Sequence, residues 1–483
     1  MTQDIKQLYI DAGQGHLFNH WDSLTSTEQS EFLSSLQTVA NRIHPRDLIT
    51  NCQKAIKLAD TISHASPESI RPLPTASYES IINAKNDPIE SHALATYRQL
   101  GHHAIEKGEV AVILMAGGQG TRLGSNEPKG CYDVGLPSHK SLFQMQAEKI
   151  HTLQRITNSK RPIPWFIMTS EPTRMMTERF FDKHGYFGLT REQVQFFNQG
   201  TLPALDSNGE KLLLKDKVHL VQSPDGNGGL YQGLKENGII DKLIQLNVKH
   251  VYVYCVDNIL SKIADPVFIG FAIKHGFQLA TKAVRKRDPH ESVGLIATRD
   301  DKPCVIEYSE ISKELAEDID SNGLLRLRAG NIVNHYYSVD LLRKSLNSWC
   351  DMLPYHIAKK KIPYFDNDSM ELMKPGDKSN GIKLEQFIFD VFPNVPLEKF
   401  GCLEVERSIE FAPLKNGPGS SNDNPETSKL AFLQLGTNWL RENNAIIKND
   451  VLVEVSNKLS YDGENLEKFN GHVFEKQDVI LDE

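Results

Sequence analysis

From residue 110 onward, short unbroken apolar runs alternate with amphipathic stretches. Val110-Ala111-Val112-Ile113-Leu114-Met115, Pro164-Trp165-Phe166-Ile167-Met168-Thr169 and His250-Val251-Tyr252-Val253-Tyr254-Cys255-Val256 have the length of strands and no polar face. That is the pattern of strands covered on both sides. Helical spacing between them predicts helices over residues 141–154 and 173–184. Strands alternating with helices imply an α/β fold: a mostly parallel sheet with helices on both faces. In such sheets the ligand lies beyond the C-terminal ends of the strands, which is where the glycines after Met115 and the pair Asp257-Asn258 fall.

The flanks read differently. Thr25-Ser26-Thr27-Glu28 offers a helix cap ahead of apolar residues at Phe32, Leu33, Leu36, Val39 and Ala40, and a further helix is expected over residues 90–107. Between them, Ser66-Pro67 through Ile70-Arg71-Pro72-Leu73-Pro74 has the prolines of a connector. Past residue 400 the alternation fades. A turn-rich loop, Asn416-Gly417-Pro418-Gly419-Ser420-Ser421-Asn422-Asp423-Asn424-Pro425, precedes a helix expected over residues 427–443, and Val451 to Val455 and His472 to Phe474 read as short β-structure. The expected organisation is an N-terminal helical region at 1–105, a catalytic α/β domain at 106–400 and a small β-containing C-terminal domain at 401–483.

Composition narrows the class. With 39% hydrophobic and 24% charged residues the 483-residue chain can bury a core, and a net charge of −8 argues against broad binding to nucleic acid or membrane surfaces. The opening MTQDIKQLYIDAGQGHLF lacks the cationic start and apolar run of a secretory signal, and no stretch is long and apolar enough for a membrane helix. Six scattered cysteines (52, 131, 255, 304, 350, 402) form no CxxC pair, and Cys255 reads as a small buried thiol. A cytoplasmic location is therefore expected. Arg285-Lys286-Arg287 reads as a solvated turn, with a nuclear address as the alternative. No HExxH or GxSxG occurs.

The sharpest feature is Met115-Ala116-Gly117-Gly118-Gln119-Gly120-Thr121-Arg122-Leu123-Gly124, with Pro128-Lys129-Gly130 downstream. Glycines after a buried strand let backbone N–H groups approach a phosphate. No GK[ST] closes the loop, and Leu123 stands where GxGxxG needs its last glycine, so neither common nucleotide motif applies. What remains is a phosphate cradle with two cations, Arg122 and Lys129, suited to a reaction that releases pyrophosphate. The alternative is a glycine turn with solvated cations. Asp257, after a buried strand, needs a partner or a metal ion, and magnesium is content with few protein carboxylates beside substrate phosphates. Alternatively it caps the next turn through Asn258. Asp225-Gly226-Asn227-Gly228-Gly229 either lays backbone against a planar ring or sugar or makes an ordinary tight turn. Gln199 and Asn331 can both donate and accept, or cap loops. Phe387, Phe389 and Phe392, if helical, face a core, and Lys415 reads as a solvated loop lysine.

The loop with Pro128-Lys129-Gly130 resembles the signature of the eukaryotic UDP-sugar pyrophosphorylases. Phe197-Asn198-Gln199-Gly200-Thr201-Leu202-Pro203, Pro224-Asp225-Gly226-Asn227-Gly228-Gly229, Cys255-Val256-Asp257-Asn258 and Ala329-Gly330-Asn331-Ile332 narrow the likeness to the UDP-N-acetylglucosamine pyrophosphorylases from about residue 75 to the end, and the N-terminal helical region is similar to the fungal members. This resemblance implies a Rossmann-like nucleotidyltransferase sheet and a uridylyltransferase that joins UTP to N-acetylglucosamine 1-phosphate, releasing pyrophosphate and UDP-N-acetylglucosamine with Mg²⁺. It implies that the backbone of Met115, Ala116, Gly117 and Gly118 holds the uracil and ribose side of UTP. Arg122 and Lys129 would stabilise the triphosphate and departing pyrophosphate, Gln199 and Gly226 would contact the uracil, and Asp257 would sit by the α-phosphate and help hold Mg²⁺. Asn227 would bind the sugar, Glu307, Tyr308, Asn331, Phe387, Ile388 and Phe389 would line its pocket, and Lys415 would reach the phosphates. Direct in-line attack by the sugar phosphate on the α-phosphorus is the expected mechanism. A relative that prefers another hexose 1-phosphate and a silent sugar-nucleotide sensor are the rival readings. The family suggests a monomer or weak homodimer.

Overall fold

The computed structural model describes residues 4–62, 69–82, 88–367 and 369–482. Ser66 and Pro67, which open the expected connector, lie outside them. Contacts divide the chain into two compact units, each gathered from three stretches. Met1–Ser66, Gln199–Gln232 and Ser348–Asp390 make the first, and Pro67–Asn198, Gly233–Asn347 and Val391–Glu483 the second.

The first unit opens with helices α1 (Ile5–Asp11), α2 (Ser26–Arg42) and α3 (Pro45–Ile62). Thr25 caps α2 through the expected box, its hydroxyl taking the Glu28 N–H while Glu28 returns to the Thr25 N–H. The apolar stripe then falls inward: Phe32, Leu36 and Val39 pack with Tyr9, Leu48 and Cys52 and with Leu205 and Leu384. Short antiparallel pairings, His356–Lys360 with Gly381–Glu385 and the latter with Leu205–Asp206, complete this core.

One large sheet organises the second unit. Its principal strands are β1 (Tyr78–Ser80), β2 (Val110–Met115), β3 (Trp165–Thr169), β4 (Val194–Asn198), β5 (His250–Cys255), β6 (Leu279–Arg285), β7 (Ala329–Ser338) and β8 (Phe400–Val405), in the order β1-β8-β6-β7-β5-β2-β3-β4. β2 runs parallel to β3 and β5, β3 parallel to β4, and β8 parallel to β6 and β1, while β7 opposes both β5 and β6. The sheet is mixed and mostly parallel, as the apolar runs predict. Every residue of β2 and β3 is buried, which is why neither carries a polar face. Ile70–Arg71, expected in the connector, pairs as a short strand with Thr298 and Arg299.

Helices α4 (Pro88–Glu106), α5 (Leu142–Ile156), α6 (Glu171–Lys183), α7 (Pro266–His275) and α8 (Pro425–Glu442) also group with this unit. α4 crosses α7 at Gly101 and Gly270: a Cβ on either would lie within 2 Å of the opposing backbone carbonyl oxygen, of Pro266 or Tyr97 respectively. A glycine inside a helix costs about 0.5–1 kcal/mol, and close packing is what justifies it here.

From β2 the chain passes by α5 to β3 on one side, and it later returns to β5 on the other. Strand order therefore reverses between β2 and β5, and Met115 stands directly opposite Cys255 at their C-terminal ends. That is the crevice where open α/β sheets bind ligands. Two expectations about the sheet need correction. Cys255 keeps part of its residue surface exposed where its strand ends at this crevice, although its thiol is withdrawn from solvent. Arg285-Lys286-Arg287 is no solvated turn: Arg285 pairs with Glu404 at 2.6 Å and Lys286, 6% exposed, donates to the Pro289 carbonyl.

Candidate active site

The glycine loop closes on itself. Ala116 donates its N–H to the Met168 carbonyl at 2.8 Å, and the Ser170 hydroxyl donates to the Gly117 carbonyl at 2.6 Å, fixing the loop where it leaves β2. Gly120 N–H then reaches the Glu127 carbonyl at 3.0 Å and Lys129 N–H the Gly118 carbonyl at 3.2 Å. This return brings Lys129 back beside Arg122 despite the residues between them. Gly130 admits the ring of Phe143 from α5, which a Cβ would overlap at 2.2 Å. Among the described residues no protein acceptor takes the N–H of Gly117 or Gly118, as a loop built to donate to an anion requires.

Arg122, Lys129, Asp257 and Lys415 line one cleft of about 340 Å³ together with the loop backbone at 119–121. Lys129 Nζ lies 3.5 Å from Asp257 Oδ2, and both side chains keep about a fifth of their surface exposed. Such a loose pair leaves cation and carboxylate free to meet a ligand.

Two neighbouring residues divide the work at the end of β5. Asn258, 2% exposed, does the capping: its Oδ1 accepts the N–H groups of Leu260 at 3.3 Å and Ala412 at 3.0 Å, and its Nδ2 donates to the Glu410 carbonyl at 2.7 Å. The Asp257 side chain is thereby spared for the cleft, while its backbone carbonyl accepts from Leu414 N–H at 2.9 Å. The segment after Glu410 is thus stitched to the strand end. Below it, Lys282 is fully buried between Asp265, at 2.5 Å, and Glu410. Burial alone would lower the Lys282 ammonium, but the two carboxylates outweigh it and raise it, so the charge persists. Lys415, read as a solvated lysine, is carried by this braced segment with its Nζ 5.8 Å from the Phe411 ring centroid. Gly417 presses on the Arg122 carbonyl, 2.6 Å from where a Cβ would stand. Loss of solvent first, and Asp257 second, push the Cys255 thiol well above its usual range, so it stays protonated and is no nucleophile.

Other expected residues lie elsewhere in the same unit. Asn331, 9% exposed, donates its N–H to the Gly294 carbonyl at 2.8 Å, and Gly294 in turn abuts Glu307, whose Oε1 a Cβ would meet at 3.4 Å. Asn331 Oδ1 accepts from Val333 N–H at 3.0 Å, supporting a φ of +55° that a β-branched residue rarely adopts. Register with β6 shifts here, so Asn331 shapes a bulge. Tyr308 is 55% exposed. None of Glu307, Tyr308 and Asn331 lines the cleft of Arg122, Lys129, Asp257 and Lys415.

Within the first unit, Gly226 (φ +87°) leaves only 2.5 Å between a Cβ and the Gln386 carbonyl oxygen, so glycine is required. Gln386 N–H donates to the Asp225 carbonyl and Gly228 N–H to the Gln386 carbonyl, each at 2.8 Å, and Ile388 N–H donates to Asn227 Oδ1 at 3.0 Å. Asn227 and Ile388 are therefore brought together, with the Asn227 amide nitrogen and the second lone pair of its Oδ1 left for further contacts. Gln199 is buried. The aromatic run departs from expectation. Phe392 is buried, but Phe387 and Phe389 are half-exposed with ring centroids 5.2 Å apart, and Phe387 stacks on His356 at 4.2 Å. A 3₁₀ turn from Ile388 aligns residues three apart, so Ile388 and Val391 go inward and the two phenylalanines stay at the surface.

A family model described as UTP–glucose-1-phosphate uridylyltransferase matches residues 70–469. The chain belongs to that uridylyltransferase family. It is 62% identical over 482 residues, 99% of both chains, to the UDP-N-acetylglucosamine pyrophosphorylase of Saccharomyces cerevisiae. A probable UDP-N-acetylglucosamine pyrophosphorylase of Schizosaccharomyces pombe is 38% identical over 96% of each chain. Among solved structures, the uridine diphosphate N-acetylglucosamine pyrophosphorylase of Trypanosoma brucei superposes with a TM-score of 0.83 at 28% identity, over 96% of this chain and 93% of that one. A putative UDP-N-acetylglucosamine pyrophosphorylase of Entamoeba histolytica reaches 0.76 at 35% identity, over 85% and 100%.

In this uridylyltransferase several residues that hold the site carried no chemical signature in the sequence. Asn258 and Gly417 stand inside quoted motifs but act as braces. Lys282 and Glu410 are far apart in the chain and look like ordinary surface charges until the fold buries them. Arg42 ends a helix in a region where no chemistry is expected.

Proposed function

We propose that this uridylyltransferase joins UTP to N-acetylglucosamine 1-phosphate, releasing pyrophosphate and UDP-N-acetylglucosamine. The observation that carries the reading is the meeting of Arg122, Lys129, Lys415 and Asp257 in one cleft at the strand-order reversal. The name and near-complete coverage of the yeast relative support the choice of sugar. The nucleophile, a phosphate oxygen of the sugar 1-phosphate, is already anionic, so attack on the α-phosphorus needs alignment and charge neutralisation rather than a general base. Arg122 and Lys129 stabilise the charge gathering on pyrophosphate as it departs, and Lys415 binds the phosphates from the C-terminal side. The protonated Cys255 supports direct displacement over a covalent thiol intermediate. In this reading the backbone from Met115 to Gly118 holds the nucleoside side of UTP. Gln199 and Gly226 meet the uracil, and Asn227, Glu307, Tyr308, Asn331, Phe387, Ile388 and Phe389 serve the sugar.

Among the described residues Asp257 is the sole carboxylate lining the cleft, and no group of three or more His, Cys, Asp or Glu could hold a metal ion. That donor set fits magnesium, which takes one or two carboxylates and completes its shell with phosphates and water. Bound with the triphosphate beside Asp257, Mg²⁺ would offset phosphate charge. Six free cysteines support a reducing, cytoplasmic setting; among the described residues no helix is long and apolar enough to cross a membrane.

Glucose 1-phosphate, the sugar phosphate for which the family is described, is the rival substrate to test. Pyrophosphate release from purified protein with UTP, Mg²⁺ and a panel of sugar 1-phosphates decides between them. The highest kcat/KM is expected for N-acetylglucosamine 1-phosphate; a higher value for glucose 1-phosphate reassigns the sugar, and release with neither overturns the reading.

A further inference from the structure

Arg42 is the last residue of α2, in a helical region from which no chemistry is expected. Its Nη2 donates to Asp225 Oδ2 at 2.7 Å, and its Nη1 reaches the Thr201 carbonyl at 3.4 Å. Its guanidinium also fills the space over Gly200: a Cβ there would stand 1.1 Å from Nη1 and 1.5 Å from Cζ. Arg42 keeps 21% of its side-chain surface exposed and Asp225 only 3%, so the pair is largely desolvated and unlike the solvated pairs of the surface.

Gly200 directly follows Gln199, and Asp225 directly precedes Gly226. The next bond along, Asp225 N–H to the Gly200 carbonyl at 3.1 Å, joins the same two stretches. Asp225 also accepts the Gln386 N–H through its carbonyl, which fixes the left-handed Gly226 in its close approach to that segment. One planar side chain thus sets the separation of two loops whose neighbouring residues, Gln199 and Gly226, are those read above as uracil contacts.

We propose that Arg42 is a positioning residue for base recognition: from the N-terminal helices it holds the Gln199 and Gly226 loops at the spacing a pyrimidine imide needs. The inference rests on the functional reading above and deepens it. Arg42 acts through the protein groups it holds, Asp225 and the Thr201 carbonyl, so its loss is read in UTP affinity and base selectivity. A lysine keeps the charge but is a point donor that does not span Asp225 and Thr201 together in one plane.

The test uses full-length wild type, Arg42→Lys and Arg42→Ala, with thermal melting beside the kinetics. Both variants are expected to raise the KM for UTP about tenfold, on the scale of one lost charge-assisted hydrogen bond. The KM for the sugar 1-phosphate and kcat at saturating UTP stay near wild type, and the kcat/KM preference for UTP over CTP falls. Gly200→Ala, which displaces the guanidinium without removing charge, should copy this pattern. UTP binding by calorimetry, measured without sugar phosphate, separates the role of Arg42 from the activity itself. Wild type that fails to bind UTP sinks the functional reading. Wild type that binds UTP while Arg42→Lys binds equally well, with unchanged UTP/CTP selectivity, overturns the role given to Arg42. An activity loss that tracks a lowered melting temperature, with both KM values and kcat shifted together, overturns it as well.

Discussion

Each of the two units holds one ion-paired brace, and the two are built for different tasks. In the second unit Lys282 lies wholly buried between Asp265 and Glu410, beneath the segment that delivers Lys415. In the first, Arg42 meets Asp225 with a fifth of its side chain still in solvent. A buried triad gains little net stability over a packed apolar core, yet it is costly to break because the remaining charges have no water to turn to. The Arg42–Asp225 pair, open to water only on its arginine side, can be cut at lower cost to the fold than the enclosed triad, and what it controls is spacing. The lesson is that burial decides whether a charged brace is read out as stability or as precision.

Lys282→Met should have the largest effect. It strands two buried carboxylates and is expected to cost ~3–5 kcal/mol, seen as a lowered urea midpoint at unchanged slope. A loss indistinguishable from that of Arg42→Lys would erase the contrast. Arg122→Ala touches neither brace: turnover should drop ~10²–10³-fold at constant urea midpoint if the guanidinium acts on transition-state charge. Near-normal turnover would remove it from the catalytic residues. Asn258→Ala leaves the Ala412 N–H and Glu410 carbonyl unpaired in a buried place, for about 1–3 kcal/mol. It should raise the KM for UTP by loosening the segment that bears Lys415, and an unaltered KM would show that the triad holds this segment alone.

The smallest effect at neutral pH comes from a buried group with no brace. His335 is fully buried, neither ring nitrogen has a hydrogen-bond partner among the described residues, and burial pushes it down to about 3. The unfolded chain binds a proton below about pH 6.5 that the folded chain refuses, so the stability tied to its neutral form is complete above that pH. It is lost as pH falls toward 3. His335→Leu should be near-neutral at pH 7 and gain on wild type by ~1.4 kcal/mol per pH unit below 6.5, in urea melts compared at pH 7 and pH 5. Parallel pH profiles for the two proteins would refute this.

The sheet was legible because its signal is local. A strand covered on both faces must be apolar throughout, so β2, β3 and β5 announced themselves, and the glycines and Asp257 followed at their ends. The capping box of α2 was equally plain. Phe387 and Phe389 were misread because a helical period and a 3₁₀ turn sort the same residues onto different faces, and only packing chooses between them. Lys286 and Arg285 were misread because charge in a short run looks solvated until Glu404 and the Pro289 carbonyl are set beside it.

The amino-acid sequence by itself determined the α/β class, the glycine loop and its two cations, and the place of Asp257 at a strand end, since each follows from neighbours in the chain. Tertiary structure alone decided that Lys415 joins that cleft, that Asn258 rather than Asp257 does the capping, that Lys282 keeps its charge in the core and that Arg42 reaches two distant loops. Those outcomes depend on which distant groups share a low-dielectric space, and chain order carries no record of that.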